Sequence, residues 1–249
     1  MFEGSIEVCG REITRTLLGT SPFIGASQFG HRSRLYQLDL YNQPENILKI
    51  IRRSYNMGIK GIQLIPYPPV VKALEWAQDE GCVIDIVGTV RPDHEEEDIK
   101  LLSELGASSM LLHAVITDRH DWNFMERNLK LIEDKKAVAG LVTHLPFRTT
   151  RKLLESPVLD LFQIYMFPVN PLGYLMDCDT YGADKRAEIR EMIIKLNKTV
   201  IAKKIMAAGI LKPDEAFNYL KTLDYVDMVA LGIASEEEAQ ETFNLLSFK

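Results

Sequence analysis

From residue 14 onward the hydrophobic pattern alternates between two rhythms. Continuous apolar runs recur at 14–20 (TRTLLGT), 60–66 (KGIQLIP), 83–90 (VIDIVGTV), 108–116 (SSMLLHAVI), 137–144 (AVAGLVTH), 159–166 (LDLFQIYM), 199–206 (TVIAKKIM) and 226–233 (VDMVALGI). Runs of this length without strict alternation predict strands buried on both faces of a parallel sheet. Between them, segments near 44–57, 69–80, 94–105, 121–135, 147–155, 183–197, 213–222 and 235–246 carry the period of amphipathic helices. Start signals support several of these: Pro44, Pro69 and Pro213 sit in first turns, and Ser235 with Glu238 has capping-box spacing. Gly58, Gly81 and Gly106 fall just past helix ends, where a left-handed cap belongs. Eight strands and eight helices in strict alternation predict a (β/α)8 TIM barrel. An open doubly wound sheet is the alternative, but no Gly-rich dinucleotide fingerprint follows the first strand. The segment 5–13 alternates and turns at Gly10, which predicts a hairpin closing the barrel's N-terminal face.

Composition narrows this picture. The 249 residues contain no Gly/Ser-rich or Pro-rich linker, so the prediction is one domain over 1–249. A net charge of −6 with scattered basic residues argues against nucleic acid as the main partner. No run of 18 apolar residues predicts a membrane span, and the N-terminus lacks a signal-peptide core, so the expected location is cytoplasmic. Cys9, Cys82 and Cys178 are odd in number and widely spaced, which indicates neither a disulfide framework nor a zinc motif. The acidic run Asp93–Asp98 reads as the solvated first turn of a helix.

Active sites of such barrels form at the C-terminal ends of the strands. Candidates there are Thr20 and Ser21, Gln63 and Tyr67, Thr89 and Arg91, His113, Thr143 and His144, and Gln163, Tyr165 and Asn170. The long loop after the first strand adds Gln28, His31 and Arg32. The seventh strand ends in Lys203 and Lys204, followed by AAG (207–209), and the eighth ends in GIAS (232–235) before a capped helix. Small residues here let backbone N–H groups approach an anion, so Lys204, Gly209, Gly232 and Ser235 form a candidate phosphate site for a phosphate-bearing small molecule. With Val200 and Ala202 taken as inward, alternation puts Lys204 in the lumen and sends Lys203 toward the helix layer, where it would snorkel to water.

His113 is a candidate hydrogen-bond donor or general acid at a substrate oxygen. His94, His113 and His144 could together hold a metal, but no HxH or HExxH spacing supports this and none is predicted. Of the polar cluster Asp118–Asp121, Asp121 is the natural helix cap, and Asp118 and Arg119 are candidates for the barrel mouth. No GxSxG elbow is present. A lysine at a barrel strand end, beside a second cation, can have a depressed pKa and attack a carbonyl, which makes Lys203 or Lys204 an aldolase-type candidate.

Five segments in order resemble the aldo-keto reductase superfamily: TLLGTSPFIGA (16–26), LVTHLPFRTTRKLLES (141–156), FQIYMFPVN (162–170), VIAKKIMAAGIL (200–211) and VDMVALGIASEEEAQETFNLL (226–246). The resemblance implies a TIM barrel and an NADP(H)-linked oxidoreductase of a small carbonyl compound. The cofactor would lie along Thr143, His144, Gln163, Tyr165, Lys204, Gly209, Gly232 and Ser235, with the nicotinamide stacked near Tyr165. The family's catalytic Asp, Tyr, Lys and His are matched only at His113. The alignment of GIKGIQLIPYPP (58–69) puts Gln63 at the Asp and Pro68 at the Tyr, leaves Tyr67 one residue short, and gives Gly88–Thr89–Val90 where the Lys is expected. The alternatives are a lyase, aldolase or isomerase acting on a phosphorylated small molecule, or a non-catalytic ligand-binding barrel.

Overall fold

The computed structural model describes residues 2–246; residues 1 and 247–249 of the predicted 1–249 domain lie outside the described residues. The strands are β1 (Ser5–Val8), β2 (Arg11–Thr14), β3 (Thr16–Gly19), β4 (Gly61–Leu64), β5 (Asp85–Val90), β6 (Ser109–Leu112), β7 (Val138–Val142), β8 (Ile164–Pro168), β9 (Thr199–Lys203) and β10 (Met228–Gly232). The strands β3 to β10 form a closed parallel barrel in sequence order, with β10 pairing β3, and β1–β2 is the predicted antiparallel hairpin. The helices are α1 (Arg32–Tyr36), α2 (Pro44–Asn56), α3 (Pro68–Asp79), α4 (Glu95–Glu104), α5 (Ala114–Thr117), α6 (Trp122–Asp134), α7 (Pro146–Leu153), α8 (Ala183–Leu196), α9 (Pro213–Leu220) and α10 (Glu236–Asn244). Eight of them alternate with the strands as the periodicity predicts, while α1 and α5 are short additions within loops. Among the described residues no helix is long and apolar enough to cross a membrane.

The hydrophobic residues separate into two cores. One fills the lumen and joins Leu17, Val87, Leu111, Val138, Ile164, Ile201 and Met228 to Val8 and Ile13 of the hairpin, which plugs the N-terminal end. The other lies between barrel and helices and includes Leu18, Ile62, Ile86, Leu112, Leu141, Tyr165, Val200 and Ala202. Adjacent residues therefore face opposite sides, as the pleat requires.

Three strand ends differ from the sequence reading, each for a local reason. The run 108–116 stops at Leu112, because His113 leaves the sheet and caps α5: its ring Nδ1 accepts from the Val115 N–H. The run 159–166 begins instead as a 3-10 turn at Leu159–Leu161, and the strand is displaced to 164–168. The run 199–206 ends at Lys203, because Lys204 takes a left-handed conformation with φ 56°.

The acidic run is also not wholly solvated. Asp98 is fully buried, accepts from the Arg91 backbone N–H at 2.8 Å and pairs with the Arg91 guanidinium at 2.7 Å. That pairing raises the Arg91 pKa and commits this strand-end cation to structure.

Candidate active site at the barrel mouth

A cavity of about 340 Å³ opens at the C-terminal ends of the strands. Its floor is made by the last inward residue of most strands: Gly19, Gln63, Thr89, His113, His144, Lys203 and Gly232. Its roof comes from the loop after β3, through Gln28, Phe29, Arg32 and Tyr36, and from the turn after β9. The Arg32 guanidinium donates to the Ala208 carbonyl at 2.5 Å, and Tyr174 donates to the Gln28 carbonyl at 3.5 Å, so residues 21–43 fold over the mouth.

The turn after β9 is strained. Lys204, Ala207 and Ala208 all have positive φ (56°, 48° and 56°), a conformation that costs each non-glycine residue roughly 1 kcal/mol. Gly209 follows at φ 87°, and a Cβ there would sit 2.8 Å from the Arg32 guanidinium. The glycine makes room for that arginine. Gly232 is likewise covered by Pro22, 3.2 Å from where its Cβ would be. Both glycines line the cavity, but what approaches their backbone is protein.

The lysine pair reverses the expected register. In the parallel ladder Ile201 pairs Met166, both in the lumen, whereas Ala202 pairs Phe167, both in the outer core. Val200 and Ala202 are therefore outward, and Lys203 is the lumen residue. The sequence offered no marker of this, since Val200, Ile201 and Ala202 are all apolar and all buried. Lys204 also lines the cavity, because alternation ends where the strand ends and its positive φ turns the chain. Among the described residues neither lysine forms an ion pair.

Burial, reinforced by Lys204, holds the Lys203 amine well below the ordinary lysine pKa, with Asp118 opposing weakly. Burial brings Lys204 down to about 8 against the same opposition. The rings of His113 and His144 meet edge to face at 5.8 Å. Burial and then Lys203 push His113 down to about 4 and His144 to about 2, so both are neutral at neutral pH. The Nδ1 of His113 is already an acceptor, which leaves its proton on Nε2. Gln63 donates to the Thr89 hydroxyl at 2.7 Å and completes the polar floor.

Asp118 stands behind this floor. Its carboxylate accepts from the hydroxyls of Thr143 (2.5 Å) and Thr149 (2.8 Å) and from the His144 N–H (2.9 Å). It positions His144 and does not line the cavity. Asp121 caps α6 as expected, accepting from the Phe124 N–H.

Several expected site residues lie elsewhere. Tyr67 faces a separate cavity with Ile24, Arg34, Gln37, Tyr41 and Asn42, its ring 4.8 Å from the Arg91 guanidinium. Tyr165 points outward, is fully buried between sheet and helices, and shares a hydrogen bond of 3.0 Å with Thr150. Gln163 precedes β8 at the opposite end of the barrel, where its backbone bonds Ala139 and Thr199. Thr143 is fully buried on Asp118, and the Ser235 hydroxyl is occupied by capping α10. His94 sits exposed at the start of α4 beside Glu97 and does not join His113 and His144. Among the described residues no group of three His, Cys, Asp or Glu could hold a metal.

Other lining residues escaped the sequence reading: Phe29, Tyr36, Lys212, Glu238 and Glu241. The capping-box spacing around Glu238 was the one hint, and it spoke only of a helix start.

No sequence family and no curated protein matches the chain. Solved structures do, at low identity. Gox0644 in complex with NADPH matches with TM-score 0.63 and 11% identity over 99% of this chain and 89% of that one. Aldose reductase from Giardia lamblia matches with TM-score 0.57 and 12% identity over 94% and 87%. Phosphoribosyl anthranilate isomerase from Thermus thermophilus matches with TM-score 0.52 and 14% identity over 80% and 93%. The chain thus has the fold of aldo-keto reductases and similar TIM barrels.

The cavity differs from the catalytic tetrad that the sequence resemblance implies. Among the described residues no tyrosine lines its floor, since Tyr67 faces another cavity and Tyr165 lies behind the sheet. Tyr36, the one tyrosine in the lining, belongs to the roof, and burial raises its pKa.

Proposed function

We propose that the chain is an enzyme acting on a small carbonyl compound that carries an anionic group such as phosphate. The observation that carries this reading is the polarity of one cavity. Its lining holds the cations Arg32, Lys204 and Lys212 against the carboxylates Glu238, which accepts from the Ala234 N–H, and Glu241. Its floor offers His113 and His144, which burial holds neutral, and Lys203, whose pKa burial lowers. Cations around an opening attract an anion, and low-dielectric surroundings strengthen each hydrogen bond made below it. The Nε2–H of His113 and the Gln63–Thr89 pair are placed to polarise a carbonyl oxygen. Calorimetric titration with dihydroxyacetone phosphate tests this: saturable binding that weakens about tenfold in Lys204→Gln is expected, the loss of one charge-assisted contact. No binding by any anionic carbonyl compound overturns it.

A second reading, an NADP(H)-linked oxidoreductase, draws support from the NADPH complex of Gox0644, a barrel of the same fold. It requires a proton donor other than Tyr67. Titration with NADPH followed by fluorescence tests it directly, and an unchanged emission spectrum removes it.

A further inference from the structure

We infer that Lys203 is a carbonyl-capturing amine, whose Nζ condenses with the aldehyde or ketone group of the anionic ligand to form an imine. The inference rests on the functional reading above, because the cations of the mouth would bring such a ligand to the floor.

Position is the first argument. Lys203 is the last inward residue of β9, and its main chain is fixed by pairing with Pro168 and by its carbonyl accepting from the Val169 N–H at 2.9 Å. Only the side chain can move, and it opens on the cavity.

Surroundings are the second. A buried ammonium needs a carboxylate, and the one closest in charge, Asp118, is already engaged by Thr143, Thr149 and His144. What faces Lys203 is a second lysine and two imidazoles. An amine so placed has its pKa lowered toward its neutral form, whose lone pair can attack a carbonyl carbon. A structural lysine would be paired, and this one, half-buried against the cavity, has no ion-pair partner among the described residues.

The third argument is acid–base provision. Imine formation moves two protons: Nζ adds to the carbonyl carbon, the two protons it sheds end on the former carbonyl oxygen, and that oxygen leaves as water. A C=N bond replaces the C=O bond, and no electron enters or leaves. The neutral rings of His113 and His144, 5.8 Å apart beside the amine, are the groups available to carry those protons.

The test is reductive trapping on the full chain. The protein is incubated at pH 7.5 with dihydroxyacetone phosphate in one arm and pyruvate in another, then treated with sodium borohydride, which reduces an imine to a stable secondary amine. Peptide mapping by mass spectrometry is expected to place the adduct on Lys203, with at least tenfold less on each exposed lysine. Stronger labelling by the phosphate arm would name phosphate as the anionic group, and stronger labelling by pyruvate a carboxylate. Lys203→Met is expected to abolish the adduct. Because the wild-type map needs no variant, misfolding of Lys203→Met would leave the test intact. Binding without a Lys203 adduct in either arm overturns the imine and spares the functional reading. No binding in either arm overturns both.

Discussion

The two ends of the barrel are built from the same strands and differ by two residues along each. Toward the N-terminal end the inward side chains include Leu17, Val87, Leu111 and Ile201, continuous with the hairpin plug of Val8 and Ile13. Two positions further on, Gly19, Thr89, His113 and Lys203 line the cavity, joined there by His144 and Gly232. One end is close-packed and dry, and the other holds a cavity, titratable groups and a strained turn. The lower end has no room for a ligand and carries the stability. The upper end gives up packing and buries amines and imidazoles, which costs stability and supplies chemistry.

Substitutions that act on one end should leave the other untouched. The largest effect is expected from Leu111→Ala, which opens a hole in the lower lumen. Its unfolding free energy from urea titration should fall by about 3 kcal/mol, while calorimetric affinity for dihydroxyacetone phosphate stays within about twofold. Comparable damage to affinity would mean that the ends are not independent.

Acid should attack the upper end next. The folded-state pKa of His113 is about 4, below its ordinary value of 6.5, so the unfolded chain binds the proton more tightly. Its contribution is therefore intact above about pH 6.5 and is lost as the pH falls toward 4. That loss is on the order of 2 kcal/mol for this ring alone. Urea titrations at pH 7 and 4.5 should show it, and His113→Gln should lessen the dependence, leaving the part that belongs to His144.

Lys203→Met should act in the opposite sense to a core deletion. Replacing a half-buried, unpaired amine with an apolar chain of similar length should raise stability by about 1 kcal/mol while removing the borohydride-trapped adduct. A variant both less stable and inactive would place Lys203 among the structural residues. The smallest effect is expected at Tyr67→Phe, which keeps the ring on Arg91 and lies outside the main cavity. Stability should change by no more than about 0.5 kcal/mol and affinity not measurably.

Much of the fold was legible in the chain. Prolines at helix starts and glycines at 58, 81 and 106 marked element ends that the structure repeats, with φ of 90°, 92° and 76° at the glycines. The apolar runs located every barrel strand, and the hairpin was visible in its alternation. The site was legible only in part. His113, His144, Gln63 and the two lysines were found because they are polar residues within or at the end of apolar runs, toward the strand ends where a barrel places its chemistry. Gln163 was misplaced because the run 159–166 opens as a 3-10 turn and β8 begins only at Ile164, and Tyr165 because a strand buried on both faces carries no polar mark of which side is inward. A shift of one residue then exchanges lumen for helix layer. The roof residues Phe29 and Tyr36 had no signal, because a loop's fold over the mouth is set by contacts such as Arg32 to Ala208, 176 residues apart.

Local order is what the sequence by itself determined: eight apolar runs, eight amphipathic segments, their punctuation, and hence a closed barrel with its chemistry at one end. Those signals come from neighbours a few residues apart. Only the tertiary structure decided which of two adjacent lysines enters the lumen. That choice depends on the pairing of β9 with β8 and on the left-handed turn at Lys204, both set by residues distant in the chain.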